Sequence, residues 1–205
     1  ACSSVFSASS WVPAWTTLHL TDAFAPVGHH KLIFGGPVGA GKTTAIGAAS
    51  DIPPLRTEAP ILGGPGQSRP FSGAVLDYGA MTLGDGCTLH LYGTPGRERF
   101  DFMWELLTED ALALILLIDN SRPDALDQLH FHLGAFSRFI RDTALSVGIT
   151  HCDLGGGLTL DDYQAELERA GFGCVPVFVV DPRCRRDVCL LIEAALSVLD
   201  PVARA

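Results

Sequence analysis

A chain of 205 residues, 47% hydrophobic and 18% charged, is long enough for one domain with an extension and apolar enough for a full core. Its net charge of −9, with Lys31 and Lys42 as the only lysines, argues against a nucleic-acid footprint and against attraction to an anionic membrane surface. The longest apolar run, residues 111–118, has the length of a strand and falls well short of a membrane span.

Residues 1–29 hold Ser, Thr, Pro, Trp11 and Trp15, with no Lys or Arg and poor periodicity. They read as a loosely structured extension, and the absent basic n-region gives no sign of a secretory signal. Residues 30–205 read as one domain. "KLIFG" predicts a short strand, followed by a Gly-rich turn and the helix former "KTTAIGAAS". Residues 51–72 are rich in Pro and Gly, show no periodicity and read as a functional or mobile loop. "GAVLDYGAMTL" and "CTLHLY" predict two strands joined by the hairpin signal "GDG". "RERFDFMWELLT" predicts a helix, and "LALILLID" a strand buried on both faces. "DALDQLHFHLGAFSRFIRDT" predicts one long helix with Leu126, Leu129, Leu133, Phe136 and Ile140 on its apolar face. "ALSVGIT" and "VPVFVV" predict strands; "LDDYQAELERAG", ended by Gly171, and "RRDVCLLIEAALSVL" predict helices. Alternating strands and helices imply an α/β domain with a mostly parallel sheet, one antiparallel hairpin strand and helices around it.

The cysteines, Cys2, Cys87, Cys152, Cys174, Cys184 and Cys189, form no CxxC pair and no zinc spacing with histidine. They read as free thiols of a reducing cytoplasm. His130 and His132 alternate on the surface of the long helix, so the two cannot share a face, and neither is read as a metal ligand.

"GPVGAGKTT" (36–44) fits G-x-x-x-x-G-K-[ST] through Gly36, Gly41, Lys42 and Thr43. Glycines let successive backbone N–H groups wrap a phosphate, and the helix that follows turns its N-terminus to the anion. Lys42 has the reach for the β and γ phosphates, and the Thr43 hydroxyl suits Mg²⁺. A second landmark, "GITHCD" (148–153), places Asp153 after a buried strand. Its carboxylate can accept from guanine N1 and N2, for which adenine has no matching donors; the plain alternative is a loop Asp that caps a helix.

With "GPVGAGKTTAI", "LDYGAMTL", "YGTPGRERF", "LLIDN" and "VVDPRCRRDV" in this order, residues 31–198 resemble the bacterial Ras-like small GTPases of the conservon and MglA types, which in turn resemble the Arf and signal-recognition-receptor β GTPases. The resemblance implies a Ras-like P-loop NTPase fold with a six-stranded sheet, bound GTP or GDP with Mg²⁺, a conformational switch, and a roadblock-type regulatory partner. It assigns the phosphate cradle to Gly36, Gly39, Ala40, Gly41, Lys42, Thr43 and Thr44. The first switch falls in 56–73, where Ser72, or Thr57 as a fallback, supplies the hydroxyl that caps the metal beside Thr43. Asp77 matches a family position before the hairpin and is read as structural or functional.

Gly93–Gly96 match D-x-x-G with Gly93 in the place of the Asp. Gly96 offers its N–H to a γ-phosphate, and Thr94 is a candidate catalytic hydroxyl or a turn hydroxyl. Arg97 stands where relatives carry a water-orienting Gln. It has donors and no acceptor, and three roles stay open: an exposed Arg paired with Asp101, a charge-stabilising finger, or a partner contact. At the base, Asp153 keeps the Asp of N-K-x-D, Thr150 replaces part of the Asn hydrogen bonding, His151 stands for the Lys as a stacking ring or an ordinary surface His, and Asp181-Pro182-Arg183 replace S-A-K. Pro182 lacks the N–H that would meet guanine O6, so that contact falls to Arg183 or Cys184 or is lost, and rejection of ATP is weakened. The resemblance implies a GTP-driven switch with slow intrinsic hydrolysis. A nucleotide-dependent binding module without turnover and a P-loop kinase or ATPase are the competing classes.

Overall fold

The computed structural model describes residues 29–59, 74–84, 86–96, 107–155 and 157–199. The strands are β1 (His29–Gly35), β2 (Leu55–Ala59), β3 (Ala74–Thr82), β4 (Thr88–Gly93), β5 (Ala111–Asp119), β6 (Ala144–Thr150) and β7 (Val177–Val179). The helices are α1 (Lys42–Ala49), α2 (Ala125–Ala135), α3 (Ser137–Asp142), α4 (Leu160–Arg169) and α5 (Arg185–Leu199). One seven-stranded sheet runs in the order β2-β3-β4-β1-β5-β6-β7. β3 pairs antiparallel with both of its neighbours, and the remaining pairs are parallel.

β5 carries the centre. Its side chains alternate between two apolar layers, as a period of two dictates. Ala113, Ile115 and Leu117 join Leu32 and Phe34 of β1 under α1 and α5, where Ile46, Leu191 and Ala195 are buried. Leu114, Leu116 and Ile118 turn the other way, onto Leu129 and Leu133 of α2, Ile140 of α3 and Tyr163 of α4. Helices therefore cover both faces, and the carboxyl ends of β1, β5 and β6 gather at one rim. In open α/β sheets that rim is where ligands bind.

Three expectations change. The sheet has seven strands instead of six, because Leu55–Ala59, expected as loop, pairs along β3 from Leu55↔Tyr78 to Ala59↔Ala74. A neighbouring edge ready to pair outweighs weak local periodicity. The long helix after β5 divides at Phe136, whose backbone (φ −95°, ψ 8°) leaves the helix while its side chain enters the core. His132, expected on a surface, is 1% exposed. α4 starts as its sequence suggests: Thr159 and Asp162 form a reciprocal capping box. It ends before Gly171 at φ 86°.

Candidate functional site

The loop between β1 and α1 has little freedom. Gly36 lies at φ 131°, and a Cβ there would fall 2.1 Å from the Leu117 carbonyl oxygen. Gly41, at φ 92°, caps α1, and a Cβ on it would come 2.8 Å from Pro182 Cγ. Any other residue at either place would be strained and obstructed. The second of these contacts brings the Gly-rich loop against the Asp181–Arg183 loop, 140 residues away in sequence.

Lys42 is buried under the loop. Its Nζ donates to the carbonyls of Gly36 and Pro37, each at 2.7 Å. Burial pushes its pKa down to about 8, and the charge of Asp77 works against that shift. An ammonium has three donors, so one remains for a further acceptor. Gly96 presses on the same point: a Cβ there would lie 2.7 Å from Val38 N and 2.8 Å from Lys42 Nζ. The Gly96 backbone thus lies against the cradle, beside the lysine. Thr94 is buried, with its N–H and hydroxyl both donating to the Phe34 carbonyl, at 2.9 and 3.3 Å.

The Thr43 hydroxyl donates to a carboxylate oxygen of Asp77, which is 7% exposed. Arg56 Nε donates to the other oxygen of Asp77 at 3.2 Å, and Arg56 Nη2 to Thr43 Oγ1 at 3.4 Å. A hydroxyl and a carboxylate side by side are the oxygen ligands that a hard divalent cation takes, so the Thr43 environment fits magnesium. Among the described residues no group of three or more His, Cys, Asp or Glu forms a metal cluster. Ser72 and Arg97 lie outside the described residues. So do the side chain of Thr57, whose backbone sits in β2, and most of the helix predicted after Gly96.

Beside the loop, where the base was expected, lies a cleft of about 530 Å³. Gly39, Gly41 and Thr44 line it from the loop side, His151 and Asp153 from the end of β6, and Pro182 and Arg183 from the end of β7. Thr150 is fully buried. Its hydroxyl faces the carbonyls of Ala40 (3.2 Å) and Ile118 (3.1 Å), so it ties β6 to the Gly-rich loop. His151 takes a left-handed backbone (φ 57°), with Nδ1 3.4 Å from an Asp119 carboxylate oxygen. Asp153 is exposed in a 3-10 turn, Cys152–Leu154.

Both backbone donors that could replace the N–H missing from Pro182 are already used. Arg183 N donates to Asp181 Oδ1 and Cys184 N to the Asp181 carbonyl, each at 2.9 Å. The Arg183 guanidinium also forks onto the Asp181 carboxylate at 2.8 and 2.9 Å, and holds that carboxyl below its ordinary range.

Two groups escaped the sequence reading. Arg56 joins Asp77 and Thr43 from a strand expected to be loop. Asn120 braces the base end: its N–H donates to the Thr150 carbonyl at 3.0 Å, and its Oδ1 accepts from Tyr163 Oη at 2.8 Å. "LLIDN" carried a signal for Asn120, while nothing local pointed to Arg56. Elsewhere, His130 and Arg169 both contact the buried Glu166. His90 Nδ1 lies 2.8 Å from Tyr78 Oη. His132 Nδ1 donates to the Gln128 carbonyl at 2.7 Å. Burial pushes its pKa down to about 4; the Gln128 carbonyl opposes this and the Lys42 charge adds to it, leaving a neutral imidazole.

No family model matches the chain. A stretch of 47 residues is 38% identical to an uncharacterized protein of Methanocaldococcus jannaschii, covering 23% of this chain and 30% of that protein. No described helix is long and apolar enough to cross a membrane.

Proposed function

We propose that this protein is a GTP-binding molecular switch of the Ras-like class, acting in the cytoplasm, with slow intrinsic hydrolysis and output through a nucleotide-dependent partner of the roadblock type. One observation carries the reading. The loop 36–41 is closed tightly enough to exclude side chains at Gly36 and Gly41, it buries Lys42 beneath it, and it abuts a cleft edged by Asp153. A triphosphate laid along the loop would meet backbone N–H groups, the third donor of Lys42 and the N-terminus of α1. Its base would enter the cleft beside Asp153.

Magnesium suits the Thr43 hydroxyl and would neutralise charge on the β and γ phosphates. Lys42 binds and orients the same oxygens. Gly96, whose backbone lies against Lys42, would offer its N–H to the γ-phosphate. Arg97, in the place of a water-orienting Gln, has donors and no acceptor, which supports slow turnover alone and activation by a partner.

The test begins with nucleotide extracted from freshly purified protein, expected to be GDP or GTP. Lys42→Ala should lower nucleotide affinity at least about 100-fold, since a charge-assisted contact in a buried site is lost. Single-turnover cleavage by wild type alone should run on the order of 10⁻² per second or slower. Wild-type affinity in Lys42→Ala would refute nucleotide binding by this loop.

A further inference from the structure

β3 and β4 pair antiparallel with Asp77 directly opposite Gly93. Residues so opposed share one face of a sheet. A Cβ built on Gly93 would lie 3.2 Å from Asp77 Cβ, 3.5 Å from its Oδ2 and 3.0 Å from Ile46 Cδ1. The space that a side chain at 93 would enter is therefore filled by the carboxylate of Asp77, and two carboxylates would not fit. The D-x-x-G-like stretch lost its acid at a place where the neighbouring strand supplies one.

A carboxylate this buried needs cationic company. Among the described residues Arg56 provides it by contact from β2, and Lys42 of α1 lies near enough to feel its charge. The two cations differ in standing. Lys42 is buried, whereas the Arg56 side chain is 58% exposed and belongs to a strand that, among the described residues, is paired on one side only. Arg56 spans Asp77 and Thr43 together, the same two oxygen groups that a divalent cation would share.

We infer that Asp77, reaching across Gly93 from the neighbouring strand, is the carboxylate that holds a divalent cation with Thr43, directly or through its water, and that Arg56 is an exchangeable cation keeping that place until the metal arrives. This rests on the nucleotide-binding reading above. Metal entry takes the Thr43 lone pair and the Asp77 charge from Arg56, so β2 loses its side-chain anchor. Loading of the site is thereby coupled to the hold on the sheet edge.

The probe is Mn²⁺, titrated into the full chain with and without GDP and followed by the resonance of free Mn²⁺. GDP affinity in excess chelator is measured alongside. Asp77→Asn, which keeps the shape and removes the charge, should weaken Mn²⁺ about 10- to 100-fold, the range found when a group supporting a metal is lost. Arg56→Ala should tighten Mn²⁺ several-fold, and amide exchange of residues 55–59 in metal-free protein should rise to the rate wild type shows with metal. Asp77→Ala combined with Gly93→Asp should restore Mn²⁺ affinity by returning the acid to β4. Unchanged Mn²⁺ affinity in Asp77→Asn, or weaker affinity in Arg56→Ala, overturns the inference; if Asp77→Asn does not fold, Arg56→Ala decides alone. Failure of wild type to bind GDP in chelator would instead sink the nucleotide reading.

Discussion

Beside the cleft, Lys42 lies buried beneath the Gly-rich loop, where among the described residues its ammonium donates to two carbonyls. Lining the cleft, Arg183 lies exposed, its guanidinium and its own N–H both spent on Asp181. The two cations sit in opposite energetic positions. Burial makes the charged state of Lys42 costly in the empty protein, and a phosphate would remove that cost. Arg183 is already satisfied, and an exposed ion pair of this kind contributes about 0–1 kcal/mol. On the nucleotide-binding reading, the Lys42 end is poised for a phosphate, while the Asp181–Arg183 loop has spent its donors on itself and would leave mainly Asp153 for discrimination.

The strongest way to break this contrast is to remove the Lys42 charge without removing its bulk. The unfolded pKa of 10.5 falls to about 8 on folding. Between those values the unfolded chain holds the extra proton, so stability rises with pH across the window, and below it the full cost is present. The difference corresponds to roughly 3 kcal/mol. Lys42→Met should therefore be more stable than wild type by an amount of that order at pH 7, with the gap closing by pH 10.5, as read by urea unfolding of nucleotide-free protein. Equal stabilities at pH 7 would mean that the buried charge costs nothing. Nucleotide affinity of wild type should fall as pH rises through about 8, as the ammonium is lost.

The base end is sharpened by Asp153→Asn. Two charge-assisted acceptors become one acceptor and one donor, costing about 1.5–3 kcal/mol, or roughly 10- to 100-fold in guanine affinity. XTP should gain over GTP. Because Arg183 N and Cys184 N are both engaged, ATP should compete with GTP within about 100-fold in the wild type. Competition titrations check both points, and no ATP binding at millimolar concentration would contradict the second.

The smallest expected effect is at Thr94. Its hydroxyl donates to the Phe34 carbonyl, a neutral bond at 3.3 Å. Thr94→Val should cost about 0.5–1.5 kcal/mol in thermal unfolding and leave the single-turnover rate unchanged. A steep fall in that rate with native stability would make the hydroxyl catalytic and place more of the chemistry at the phosphate end.

The amino-acid sequence by itself determined the Gly-rich turn that opens α1, the alternation of strands and helices, the two-faced burial of β5 and the ends of α4. Each depends on residues a few positions apart, where dihedral freedom, hydrophobic period or a capping side chain acts locally. It also marked Thr150, Pro182 and Gly93 as departures, and Asp153 as the acid that is kept. Tertiary structure decided the answers. Arg183 and Cys184 carry ordinary backbone donors until the loop folds back on Asp181. His132 has a surface residue's spacing until α2, which carries it, packs onto the sheet beside the Gly-rich loop and buries it. β2 has no periodicity of its own and exists because β3 offers it an edge. Arg56, Asp77, Gly93 and Thr43 come from four separate elements, and only strand pairing and the packing of α1 bring a cation and a hydroxyl onto the acid that fills the space beside Gly93. Register across a sheet is set by the whole of two strands, so no short stretch could announce that arrangement.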